Sequence, residues 1–103
     1  MNYSEMLESY HNISEAYVVV NLYEIYIKAQ KIKIKIERDL RSGKYSYSNS
    51  HHYHGSEQAA PYISSRCVML DSESEALNAA FKELTSFYNE NDEKAIWVVN
   101  ECF

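Results

Sequence analysis

Thirty consecutive residues, 13–42, contain neither glycine nor proline, and only Gly43, Gly55 and Pro61 punctuate the whole chain of 103 residues. Chain reversals most often rely on these residue types. Their scarcity therefore favours a few long elements over the many short strands of a barrel or sandwich.

Within 13–42 the apolar residues Val18, Leu22, Ile25, Ala29, Ile32 and Ile36 recur at spacings of four and three, with Leu40 four further on. That period draws one stripe along a helix. Asn12 followed by Glu15 suits a capping box at its start. Arg38 and Arg41 suit its last turn, and Gly43 suits the left-handed residue beyond its end. The pairs Glu24 to Lys28 and Glu37 to Arg41 add support at helical spacing. A helix over 13–42 would be roughly 45 Å long at 1.5 Å per residue. A second apolar line through Val20, Tyr23, Ile27 and Ile34 leaves more greasy surface than one short neighbour covers. The surplus predicts a homodimer whose contact face is Val18, Leu22, Ile25, Ile32 and Ile36. Strands compete for the same residues, because Lys31 to Ile36 alternates strictly and Val18, Val19 and Val20 are β-branched. The capping signals and the missing turn residues favour the helix.

Residues 43–61 read as a Tyr/Ser/His-rich loop, with an edge strand able to begin at Lys44 to Ser48. Tyr62 to Leu70 reads as a strand. Asp71, Ser72 and Ser74 offer cap oxygens for a helix over 73–89, with Glu73 and Glu75 in its first turn. Its stripe is Leu77, Phe81, Leu84 and Tyr88, widened by Ala76, Ala80 and Phe87. Ala95 to Cys102 suits a central strand. The expected fold is α+β, one domain over 1–103, with a two- or three-stranded sheet packed on the helices. Unpaired sheet edges give a second route to a dimer.

With 46% apolar residues the chain can build a core without metals or disulfides. The first residues lack the basic and apolar regions of a secretory signal, and no apolar run reaches membrane-span length, so a cytoplasmic protein is expected. Cys67 and Cys102 then read as reduced, packed thiols. The net charge of −5 is unevenly spread. Residues 28–48 hold seven of the ten basic side chains, between two acidic regions. Such a division disfavours long nucleic acids and favours protein contacts.

Chemistry is sparse. His51, His52 and His54 are weak metal candidates, since a stable site needs three or four ligands and only Glu57 lies near, with His11 distant. No glycine-rich phosphate loop, HExxH helix or nucleophile beside a base is evident, so no catalytic residue and no cofactor is assigned. The acids Asp71, Glu73, Glu75, Glu83, Glu90, Asp92 and Glu93 suit engagement of a basic protein partner. Tyr45, Tyr47, Tyr53, Tyr62 and Tyr10 lie in or near polar stretches, where tyrosine gives large contact area at low entropy cost. With Arg38, Arg41, Lys44 and Arg66, the 44–66 segment could instead stack a base and hold a phosphate. The leading expectation is an acidic protein-binding module or inhibitor that blocks a basic, nucleic-acid-binding partner, of the anti-defence or anti-CRISPR type. The alternative is a binder of a small nucleotide or phosphorylated ligand.

Overall fold

A computed structural model describes residues 3–64 and 69–103. In chain order the elements are α1 (Tyr3–Glu8), β1 (Tyr17–Ile27), β2 (Gln30–Asp39), β3 (Tyr45–Asn49), β4 (His51–His54), α2 (Glu73–Thr85) and β5 (Ile96–Val99). The α+β class is as expected, but the long helix over 13–42 is replaced by an antiparallel hairpin of β1 and β2. Alternation and β-branching outweigh the helical stripe, because each face of the hairpin meets a different environment. The turn escapes notice since its two central residues are Lys28 and Ala29, and Lys28 takes a φ of 52° where glycine is the usual occupant. Gly43 is left-handed as expected, at φ 72°, but in the turn between β2 and β3 rather than at a helix end. Arg38 ends up in β2 before that turn and Arg41 within it. Glu24 pairs with Lys31 at 3.4 Å in place of a helical contact with Lys28.

β1, β2 and β3 form one antiparallel sheet in that order. Period-two alternation puts Ile32, Ile34 and Ile36 on its inner face and Lys31, Lys33 and Lys35 on its outer face. The three isoleucines are fully buried against Ala76, Ala80 and Leu84 of α2. The expected dimer face therefore divides. Ile32 and Ile36 belong to this chain's own core and Ile25 is half-buried beside them, while Val18 and Leu22 stay exposed. A bulge between Val19 and Asn21 shifts the register of β1.

α2 starts where its caps predict. The Ser72 hydroxyl accepts from the Glu75 amide at 3.1 Å, and the Glu75 carboxylate accepts from the Asp71 amide at 3.0 Å. It ends at Thr85, short of residue 89. Its buried side is Ala76, Ala80, Glu83 and Leu84, and Phe81 of the expected stripe is exposed. Alanines let the helix lie close to the sheet, which turns the bulkier line outward.

The 43–61 segment supplies β3 and β4 instead of one long loop. β4 pairs with β5 in a separate two-stranded sheet, so β5 is not central. Tyr53 of β4 packs between Tyr88 and Trp97, at centroid distances of 5.4 and 5.0 Å. Of the strand expected over 62–70, residues 65–68 lie outside the described residues. Tyr62 to Ser64 form no strand, and Leu70 makes a single bridge to Tyr45. No helix among the described residues is long and apolar enough to cross a membrane.

Left-handed backbone costs an L-residue about 1–2 kcal/mol relative to glycine's freedom there. Lys28→Gly is expected to raise stability by about 0.5–1 kcal/mol in urea denaturation. Lys28→Val is expected to lower it.

Candidate functional site

Four elements of polar sequence meet where α2 crosses β3 and β4. α2 contributes Glu83, which lies on the buried side seven residues after Ala76 and is 6% exposed. β3 contributes Tyr47 and Asn49, whose alternate positions share the inner face with Ile36 and Ile34 through direct pairing. β4 contributes His52, and the segment before the undescribed residues contributes Ser64.

Glu83 collects donors on both carboxylate oxygens. Oε1 accepts from His52 Nδ1 at 3.1 Å and from Asn49 Nδ2 at 3.5 Å. Oε2 accepts from the Tyr47 hydroxyl at 2.7 Å and the Ser64 hydroxyl at 2.6 Å. Tyr47 and Ser64 also touch each other. Each hydroxyl has one proton, so at most two of these three contacts are hydrogen bonds at one time. A carboxylate only accepts, which puts the His52 proton on Nδ1 and leaves Nε2 as an acceptor in the neutral ring. Among the described residues Nε2 makes no hydrogen bond. The Asn49 amide nitrogen also donates to the Ala80 carbonyl at 3.3 Å, which fixes the orientation of its amide group. Its Oδ1 is then a buried side-chain oxygen with no partner among the described residues. An orphan of this kind costs about 1–3 kcal/mol.

These groups line a pocket of about 260 Å³ along β3, with Ser46, Ser48, Ile63, Asn100 and Cys102 as further walls. Burial pushes the Tyr47 phenol up to about 12; the Ser64 contact opposes that rise and the Glu83 hydrogen bond adds to it.

No family model, curated protein or solved structure matches the chain. The site is therefore read from its own geometry.

The histidines do not converge. His51 Nδ1 bonds the Ser50 hydroxyl, His52 bonds Glu83, and His54 Nε2 bonds the Gln58 carbonyl at 2.9 Å. Among the described residues no three His, Cys, Asp or Glu side chains gather as a metal site. The cationic side chains expected to hold a phosphate also lie elsewhere. Arg38 bonds the Gly43 carbonyl and stacks on Tyr45, Arg41 bonds the Ile13 and Ser14 carbonyls, and Lys44 pairs with Asp71. Arg66 and Cys67 lie outside the described residues. Cys102 is exposed rather than packed. Of the tyrosines, Tyr10 is exposed, Tyr53 is buried in the aromatic cluster, and Tyr62 stacks edge-on with Phe87.

The acids do not form one surface. Glu83 is buried, so its place in that set is corrected. Glu73 accepts from Tyr23 and Asn21, and these two bonds hold its carboxyl below the usual range. Asp92 accepts from the backbone and hydroxyl of Ser56, the Ser56 amide being the main cause that draws its carboxyl down. Asp71 and Glu75 stand exposed at the start of α2, while Glu90 and Glu93 stand exposed beyond its other end. The helix between them is about 20 Å long.

Glu83 is the residue of the candidate site that pattern reading misplaced. Its signal was present, as an acid in register with Ala76 and Ala80 on the side of the helix that carries the small residues.

Tyr47 has a folded value above its ordinary 10.0, so its neutral form favours the native state. That contribution is complete below pH 10 and is lost as pH rises toward about 12. Stability in urea is expected to fall over this window in the wild type and to fall less steeply in Tyr47→Phe. Equal slopes would contradict the burial of the phenol against Glu83.

Proposed function

We propose that this chain is a binding protein for a small polar molecule, neutral or cationic, that presents hydrogen-bond donors to the pocket beside Glu83. One observation carries the reading: a buried carboxylate, gathered by donors from three separate segments, stands at the wall of a cavity that also offers acceptors. His52 Nε2 adds to that acceptor surplus, and His52 and Asn49 both line the cavity. Buried polar groups left without partners cost free energy, and a ligand that supplies donors recovers it. The volume suits a molecule of the size of an amine, an amide or a single sugar ring, since it falls just below the usual range for larger ligands.

The same chemistry weighs against the phosphorylated ligand expected from the sequence. No described lysine or arginine lines the pocket, and an anion entering it would face the Glu83 carboxylate. At an effective dielectric constant near 20, two like charges at 4 Å repel by about 4 kcal/mol. An enzyme is less favoured than a binder. An imidazole oriented by a carboxylate can take up a proton, but Ser64 bonds the carboxylate and not the imidazole. The serine therefore lacks the base that would activate it. Blocking of a basic protein partner would rest on Asp71, Glu75, Glu90 and Glu93, two separated pairs, and this dispersal makes it the second reading.

A thermal-shift titration tests the proposal, with small amines, amides and monosaccharides as probes and inorganic phosphate and a nucleoside monophosphate as contrasts. A donor-bearing probe is expected to raise the melting temperature with the logarithm of its concentration, equivalent to about 2.7 kcal/mol at a hundredfold excess over Kd. Ser64→Ala, at the pocket wall, is expected to weaken that response. A response to the phosphates alone, or to none of the probes, would refute the reading.

A further inference from the structure

β1 is an edge strand whose second edge no described residue pairs. It is long for an edge, eleven residues, and it contains one charged side chain, Glu24. Soluble proteins usually protect such edges with short strands, lysines or prolines. Here only the bulge near Val20 interrupts it. Most of its exposed side chains are apolar or aromatic, Tyr17 at 46%, Val18 at 44%, Val19 at 53%, Leu22 at 56% and Tyr26 at 61%, with Asn21 and Glu24 the polar exceptions. The molecule is also elongated, with extents of 53 × 23 × 18 Å and a radius of gyration of 16.1 Å. A compact chain of this length would have a radius of about 13 Å. The hairpin is thus poorly covered by the rest of its own chain.

We propose that two copies of this chain associate through their β1 edges, antiparallel about a twofold axis near Leu22, to make one continuous six-stranded sheet. Leu22 is the midpoint of β1, so this register spans the strand's length, with the ladder interrupted at the bulge. Charge selects both the mode and the register. Stacking the two outer faces would bring the Lys31, Lys33 and Lys35 rows together across about 10 Å. Edge pairing keeps the two β2 strands about 14 Å apart, at three strand spacings, which exceeds the screening length of about 8 Å at physiological salt. A register centred on Glu24 would oppose two acids directly. Centring on Leu22 separates them by about 14 Å along and across the strands. Each Glu24 is in addition paired with Lys31 of its own chain. The twofold places like beside like, as an isologous interface requires, and apolar side chains are what this edge offers to itself. β5 has exposed Ile96 and Val99 as well, but its four residues give too short a ladder to compete.

Light scattering at about 100 µM is expected to give twice the chain mass of 12.0 kDa for the wild type. Leu22→Lys sets two lysines against each other at the axis and is expected to weaken association at least about tenfold. The exposure of Leu22 means the fold should survive, which circular dichroism checks, and Tyr26→Lys serves as a second edge variant. Val99→Lys is expected to leave the mass unchanged. Amide exchange along β1 should slow as concentration rises. A monomeric wild type, or a dimer broken by Val99→Lys and indifferent to both β1 variants, would overturn the proposal.

Discussion

The contact between the isoleucine row of β2 and the alanine side of α2 is the constraint from which the other features follow. Three β-branched side chains at alternate positions make a flat apolar strip, and Ala76 and Ala80 are small enough for the helix to settle on it closely. Interiors pack densely, so the helix has little freedom to rotate once Leu84 is seated. Glu83, next to Leu84, is then carried below the surface and must find donors there. Tyr47, Asn49, His52 and Ser64 are those donors. The pocket is a consequence of apolar packing that delivers an acid to polar strands.

Nothing in local propensity favours that acid. Glu83 lies in the last turn of α2, where the helix dipole disfavours a negative charge, and it leaves water to reach its partners. Beside it, Asn49 keeps an oxygen with no partner among the described residues. Such conflicts between local preference and the native arrangement gather where a fold gives up stability for a task. The rest of α2 is locally consistent, with Ser72 at its start, acids in its first turn and Lys82 in its last.

The two ends of the chain's pattern differed in how far they could be read. The start of α2 and the strand at Ile96–Val99 were legible because capping oxygens and β-rich runs act locally. The hairpin was not, because its turn at Lys28 and Ala29 carries none of the residues that announce a reversal, while the helical spacing of Val18, Leu22 and Ile25 is real but unused. The strict alternation at 31–36 was the better guide. A period of two that persists for six residues with lysine on one side reports a sheet with one wet face. The candidate site was half visible: the polar, aromatic character of 44–64 marked its strands, but the acid that organises them was grouped with surface acids. Charge alone does not tell a solvated glutamate from a buried one. Its register with Ala76 and Ala80 does.

Nitrogen-15 spectroscopy of the His52 ring examines the central arrangement most directly, since it reports which ring nitrogen holds the proton and how well that proton is shielded. The account requires a proton on Nδ1 that exchanges slowly with water in the wild type and rapidly in Glu83→Gln. A proton on Nε2 alone, or exchange at Nδ1 as fast as at exposed His11, would contradict it.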